Sequence, residues 1–268
     1  LEAVKAYQIP FDEYPIDMER EVGAYGPYIQ SKRADIYQAF AKDLIIKDLA
    51  YPSFLTEEEK KEMTEKQQKR KQRIGYYGIW ASKERALTME EVKEKVEAGI
   101  PYVIRLKSKG SFDNKIVIED CIKGKIEFPE NDMDHVLLKS DGIPTYHFAH
   151  AVDDTLMGTT HVTRGDEWVS SLPLHIELFH ALGFEPPKYA HLATIQKEED
   201  GKKRKISKRK DPEANVRFYS EKGIPVEAVK IYLMTLANSN FEEWFLANPD
   251  SDMDEFELHF ENMSTSGA

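Results

Sequence analysis

Beyond Phe148 the sequence alternates helical and strand-like stretches with very short connections. A short helical stretch covers 148–154, a strand 160–163, a helix 171–182 stopped by Gly183, and a further strand 189–195. Strands separated by a single helix at this spacing pair in parallel, because the helix must carry the chain back to the same end of the sheet. The pattern predicts an α/β fold built on βαβ units. In such folds ligands bind beyond the carboxyl ends of the strands.

The sequence before this part has a different rhythm. Ile36, Tyr37, Phe40, Ala41, Leu44 and Ile45 recur at helical spacing within 28–50, and Thr56 with Glu59 and Thr88 with Glu91 are capping boxes opening two more helices. The first of these is expected to run to about Arg73 and the second to close at Gly99. After Gly99 the period turns strand-like, with short strands at 102–106, 116–118 and 125–128 and a hairpin turn at Lys123-Gly124. Strands at 136–138 and 144–147 are expected on either side of Asp141-Gly142. This stretch is an α+β module. Past Arg209, Asp211-Pro212 is expected to cap one helix ending at Gly223, and Pro225 to open another through Ala237.

Composition narrows the function classes. With 41% hydrophobic residues in 268 the chain can bury a core, yet no apolar run reaches the roughly 20 residues of a membrane span. Cys121 is the single cysteine, so neither a disulfide framework nor a thiolate-rich zinc site is expected. Net charge is −11, but it is unevenly spread: residues 196–210 hold eight Lys or Arg against three acids. An acidic total therefore does not exclude a polyanionic partner.

That basic stretch contains Lys205-Ile206-Ser207-Lys208-Arg209, expected in a loop after the last parallel strand. Taken alone, five such residues read more readily as a solvated basic loop than as a site. The functional alternative is a mobile loop closing on a triphosphate. There two ammonium groups neutralise charge moving onto a departing pyrophosphate, and they accelerate the reaction only by binding the transition state better than bound ATP.

Several other segments change that balance. They are 25–33 (Tyr-Gly-Pro-Tyr-Ile-Gln-Ser-Lys-Arg), 139–147, Asp153-Asp154 with Met157-Gly158, 163–168 (Thr-Arg-Gly-Asp-Glu-Trp) and Asn238-Ser239-Asn240. Together, and in this order, they resemble the glutamyl-tRNA synthetases among the class I aminoacyl-tRNA synthetases, whose KMSKS signature appears here as KISKR. The resemblance covers essentially the whole chain. It implies a partial Rossmann-like catalytic domain from 1–43 and 147–197, an inserted α+β module from 44–146 that holds the tRNA acceptor end, and the KISKR loop with the start of a helical stem-contact domain from 198–268.

The resemblance also assigns roles. Lys205, Ser207 and Lys208 match the catalytic signature, Lys208 also binding ATP. Glu167 and Ile195 match positions near the adenosine. Tyr146 resembles the tyrosine beside the glutamate side chain, and Arg164 the arginine that holds the amino acid. The plain alternatives are a strand aromatic for Tyr146, a surface arginine for Arg164, a helix-terminal acid for Glu167 and a core residue for Ile195. Asp153-Asp154 is read as structural. The histidines, lacking zincin-like spacing, are read as packing or tRNA-facing residues. Tyr76, Tyr77 and Trp80 are candidates for stacking on a single-stranded tRNA end, with core packing the plainer reading.

The implied reaction joins glutamate to tRNA(Glu) with ATP and Mg²⁺, in a cytoplasmic monomer without membrane attachment and without zinc. The HIGH segment that the resemblance places before Leu1 is absent from the sequence, as is an anticodon-binding domain after Ala268. The chain is therefore expected to be an excerpt, inactive alone. Glutaminyl-tRNA synthetase and a non-discriminating glutamyl enzyme stay open, although KISKR favours glutamate. A non-catalytic acceptor-stem binding module stays open too.

Overall fold

The computed structural model describes residues 2–267 and contains the parallel pair that the alternation predicts. Strands His161–Gly165 and Lys188–Leu192 run side by side, with Arg164 opposite His191, and helix Leu172–Leu182 crosses between them. The helix buries Leu172, Leu174, Ile176, Leu178, Phe179 and Leu182, each apolar side chain contributing about 1.5–3 kcal/mol. Gly183 ends it at φ 78°, a left-handed conformation that a side chain would strain.

The sheet is wider than the alternation implies. Its strand order is Gly124–Pro129, Lys115–Asp120, Lys188–Leu192, His161–Gly165. The hairpin 115–129 comes from the earlier α+β stretch, yet Asp120 pairs in parallel with Tyr189. Ile118 packs in one cluster with Leu172, Ile176 and Tyr189, and Ile116 and Phe128 lie against it. Burying those apolar side chains draws the hairpin onto the edge of the parallel pair.

A second, antiparallel sheet joins Ala50–Ser53, Val103–Leu106 and Val136–Leu138. Helix Ala34–Ile46 buries Tyr37, Ala41 and Leu44, and shares a core with Ile104, Leu106, Leu137, Phe148, Val152 and Leu178. Core residues therefore come from both sides of positions 44 and 146. The 25–33 and 153 segments also meet: Arg33 Nε lies 2.8 Å and Tyr37 Oη 2.6 Å from the two carboxylate oxygens of Asp153. Asp153 is thereby occupied in joining two helices.

Both capping boxes form. The Thr56 hydroxyl accepts from the Glu59 N–H at 3.2 Å while the Glu59 carboxylate accepts from the Thr56 N–H at 2.9 Å, opening helix Glu57–Lys69. Thr88 and Glu91 repeat this at helix Met89–Glu97. Thr56→Ala is expected to cost about 1 kcal/mol, read as a lower urea midpoint at unchanged slope. An unchanged midpoint would mean that this helix frays before the rest unfolds. The helix stops short of Arg73 because Lys71 turns the chain at φ 53°, which lets Arg73 reach Asp132 at 3.0 Å. Of the three aromatics beyond it, Tyr76 is buried against Tyr51 and Ala81. Tyr77 and Trp80 are half-buried beneath Arg73 and Arg70.

Four local expectations need correction. Residues 144–147 do not form a strand: only Pro144 bridges to Leu138, and a helix begins at Tyr146, running to Leu156. The strand expected through Ile195 ends at Leu192. An unforeseen hairpin follows, Gln196–Glu199 against Lys202–Lys205, so Lys205 ends a strand and only the rest of the KISKR segment lies in a turn. Asp200 and Gly201, at φ 52° and 72°, make the two-residue turn that Asp-Gly favours. The signal was present, but both strands are charged and lack alternating apolar residues. Finally, Asp211 does not cap a helix. Pro212–Ala214 is one 3₁₀ turn, and Asn215 caps the helix Val216–Glu221 through Arg217 N–H.

Candidate active site

Arg164 is the next-to-last residue of its strand, at the carboxyl end of the parallel pair. Its register partner is His191, and a parallel pair projects both side chains to one face. The guanidinium donates from Nε to His191 Nε2 at 2.9 Å and contacts His175 Nδ1 from Nη2 at 3.1 Å. Nη1 lies 3.5 Å from the Tyr146 hydroxyl. The Tyr189 ring sits 4.9 Å from its Cζ.

Every one of these partners is neutral. An arginine has donors only, so both imidazole nitrogens facing it must be acceptors. Burial, followed by the charges around it, pushes His175 down to about 2. Burial likewise lowers His147 and His191, the latter against the opposing pull of Asp120. Since His175 accepts at Nδ1, its Nε2–H donates to His147 Nδ1 at 2.8 Å. No carboxylate lies within ion-pair distance of Arg164 among the described residues. Its charge is thus fixed in direction and left without a direct counterion.

Tyr146, at the first turn of its helix, is 46% exposed and borders the open side of this cluster. Its ring packs on Trp168 at 4.4 Å between centroids and lies parallel to His150 at 5.9 Å. The site's floor is therefore aromatic, with a phenol and a guanidinium at its rim.

A second group gathers around the basic hairpin. Lys205 reaches Glu167 at 2.6 Å, so two residues 38 positions apart in sequence form an exposed ion pair. That hydrogen bond, above all, holds Glu167 below the usual carboxylate range. Ile195 is 36% exposed, accepts the Ile206 N–H at 3.2 Å through its carbonyl, and with Ile206 lines an apolar cavity of about 500 Å³. Tyr7, Tyr219, Val229 and Leu233 are among its other wall residues.

The turn after Lys205 is organised by Asp211, which sequence reasoning took for a cap. Its carboxylate accepts from both Nη atoms of Arg204, at 2.7 and 2.8 Å, and from the Ser207 N–H at 2.8 Å. The Arg204 bonds in particular hold it far below the usual carboxylate range. Lys208 projects from this turn exposed and without a hydrogen-bond or ion-pair partner among the described residues. The structure thus joins Tyr146 to Arg164 and Lys205 to Glu167. Ser207 and Ile195 meet the rest through backbone groups, and Lys208 is left free.

Sequence reasoning gave no site role to His175, His191, Trp168 or Asp120, although Trp168 closes the 163–168 segment. They come from a helix, a strand, a 3₁₀ turn and a hairpin, and no spacing in the sequence ties them together. Among the described residues no three His, Cys, Asp or Glu side chains converge as a metal ion would need.

The described residues thus set a guanidinium without a direct counterion at the strand ends of an α/β sheet, with a basic hairpin in the same structure. A family model for class I tRNA synthetases (E and Q), catalytic domain, matches residues 1–263, and the chain belongs to that family. Curated relatives named glutamate--tRNA ligase include one from Clostridium perfringens (strain 13 / Type A), 53% identical over 98% of this chain and 48% of its own length. Another, from Acetivibrio thermocellus, is 48% identical over 100% of this chain and 49% of its own. The chain spans about half the length of the curated relatives it matches. Among solved structures, a glutamate tRNA ligase from Elizabethkingia meningosepticum in complex with its amino acid superposes with TM-score 0.82. It is 33% identical, covering 100% of this chain and 55% of that one.

Proposed function

We propose that the protein containing this chain is a glutamate--tRNA ligase. Glutamate's α-carboxylate attacks the α-phosphorus of ATP, the bond to pyrophosphate breaks, and a glutamyl-adenylate forms. A terminal ribose hydroxyl of tRNA(Glu) then attacks the activated carbonyl and releases AMP. The observation that carries this reading is the Arg164 guanidinium, held by three neutral acceptors at the carboxyl end of a parallel strand. A substrate carboxylate supplies the missing counterion. The names of the relatives point the same way.

In this reading Arg164 and Tyr146 bind glutamate, while Glu167 and Ile195 flank the adenosine. Lys205, Ser207 and Lys208 form the loop that meets the phosphates. Lys205 must leave Glu167 to do so. An exposed ion pair contributes only about 0–1 kcal/mol, so a triphosphate displaces it readily. Mg²⁺ enters with ATP as part of the substrate. Residues 44–146 act as the acceptor-end module, its hairpin 115–129 also joining the sheet of the catalytic part; 1–43 with 147–197 act as that catalytic part, and 198–268 as the signature loop and stem-contact helices. The protein works in the cytoplasm as a monomer, and no helix among the described residues is long and apolar enough to cross a membrane.

The test is ATP–pyrophosphate exchange by the full-length protein with tRNA present. Exchange driven by glutamate and not glutamine supports the reading. Exchange driven by glutamine alone would make it a glutaminyl enzyme. Salt-sensitive tRNA binding without exchange would leave an acceptor-stem binding module.

A further inference from the structure

We propose that Asp120 and His191 form a positioning pair that sets the orientation of Arg164, making the hairpin 115–129 part of the amino-acid subsite. The proposal rests on the reading of Arg164 as the glutamate-binding residue and extends it to two residues that do not touch substrate.

Asp120 closes the strand Lys115–Asp120, and its side chain is fully buried. All of its neighbours are donors. Oδ1 accepts from the Ile122 N–H at 3.0 Å and the Lys123 N–H at 2.9 Å, with the His191 N–H at 3.3 Å. Oδ2 accepts from His191 Nδ1 at 2.6 Å and from the His191 N–H at 3.2 Å. A carboxylate has no proton to give, so His191 must carry its proton on Nδ1. Nε2 then keeps its lone pair, which is what Arg164 Nε requires at 2.9 Å. Asp120 thus selects the tautomer, and the tautomer anchors the guanidinium at Nε. Nη1 is then turned toward exposed Tyr146 and Nη2 toward buried His175.

No amide replaces this carboxylate. In Asp120→Asn the new NH₂ must face either the two backbone N–H groups or the His191 Nδ1–H. Backbone donors are fixed, whereas an imidazole proton relocates easily. The variant is therefore expected to keep its oxygen on the turn and drive His191 to the Nε2–H form. That form sets a donor against Arg164 Nε–H and releases the side chain.

The experiment uses the full-length protein with Asp120→Asn, His191→Asn and His191→Gln. Glutamate KM and kcat are read from pyrophosphate exchange, and the His191 tautomer from imidazole ¹⁵N shifts. Asp120→Asn is expected to raise the glutamate KM about tenfold or more with a smaller change in kcat, and to move the His191 proton from Nδ1 to Nε2. A folded Asp120→Asn protein with unchanged KM would overturn the proposal. Should that variant fail to fold, the histidine pair decides. Asn replaces the group facing Asp120 but offers nothing to Arg164, whereas Gln places an amide oxygen near the Nε2 position. His191→Gln must therefore retain a clearly lower KM than His191→Asn, and equal values would sink the relay. If wild-type protein shows no glutamate-dependent exchange, the functional reading fails. The tautomer still judges the pair, and an Nε2–H His191 in the wild type would overturn it.

Discussion

Arg164→Ala is expected to raise the glutamate KM roughly 30- to 1000-fold, the about 2–4 kcal/mol typical of removing one partner from a desolvated charge pair. Three neutral groups hold this guanidinium, and none offsets its charge directly. Alanine removes the charge and leaves His191 Nε2 and His175 Nδ1, both acceptors, facing the place a carboxylate would occupy. Lone pairs then oppose the anion. Arg164→Lys is expected to recover little of the loss. One ammonium on a flexible stem cannot reach His191, His175 and Tyr146 together, nor present two parallel N–H groups to a carboxylate. An unchanged glutamate KM in Arg164→Ala would make this an ordinary strand-end arginine.

Lys208→Ala is expected to slow adenylate formation about 100- to 1000-fold with little change in glutamate affinity. The contrast with Lys205 is physical. Lys205 already has a carboxylate at 2.6 Å. Lys208 has no partner among the described residues, on a turn that Arg204, Asp211 and the Ser207 N–H hold together. An ammonium unpaired in the free protein breaks no ion pair when it meets the charge that builds up as the pyrophosphate bond breaks. Single-turnover mixing with ATP and glutamate separates this step from binding. An unchanged rate at saturating substrate would remove Lys208 from the chemistry.

Much of the fold was legible because it rests on local patterns. The βαβ crossover followed from the period change around residues 160–195, and both capping boxes from Thr and Glu three positions apart. The failures came where local signals conflicted. Residues 144–147 look extended, yet Thr145 opens a helix once its N–H bonds the Leu137 carbonyl and its own carbonyl accepts from Ala149. The 196–205 hairpin has its Asp-Gly turn but no apolar alternation, since both faces of its strands are largely exposed.

The candidate site divides in the same way. Tyr146, Glu167, Arg164 and the KISKR segment could be named from sequence because each sits in a short motif of distinctive residues. The sequence by itself therefore determined the α/β class, the helix starts at Thr56 and Thr88, and the family. Only the tertiary structure decided what surrounds those residues. His175 and His191 were unremarkable histidines, and Asp120 an acid before a hairpin turn. They matter because packing Ile118 against Leu172 and Tyr189 brings the hairpin to the parallel pair, and register then sets His191 beside Arg164. A neutral imidazole and a buried carboxylate acquire their roles from what they touch, and contacts between residues 71 positions apart leave no periodicity in the chain.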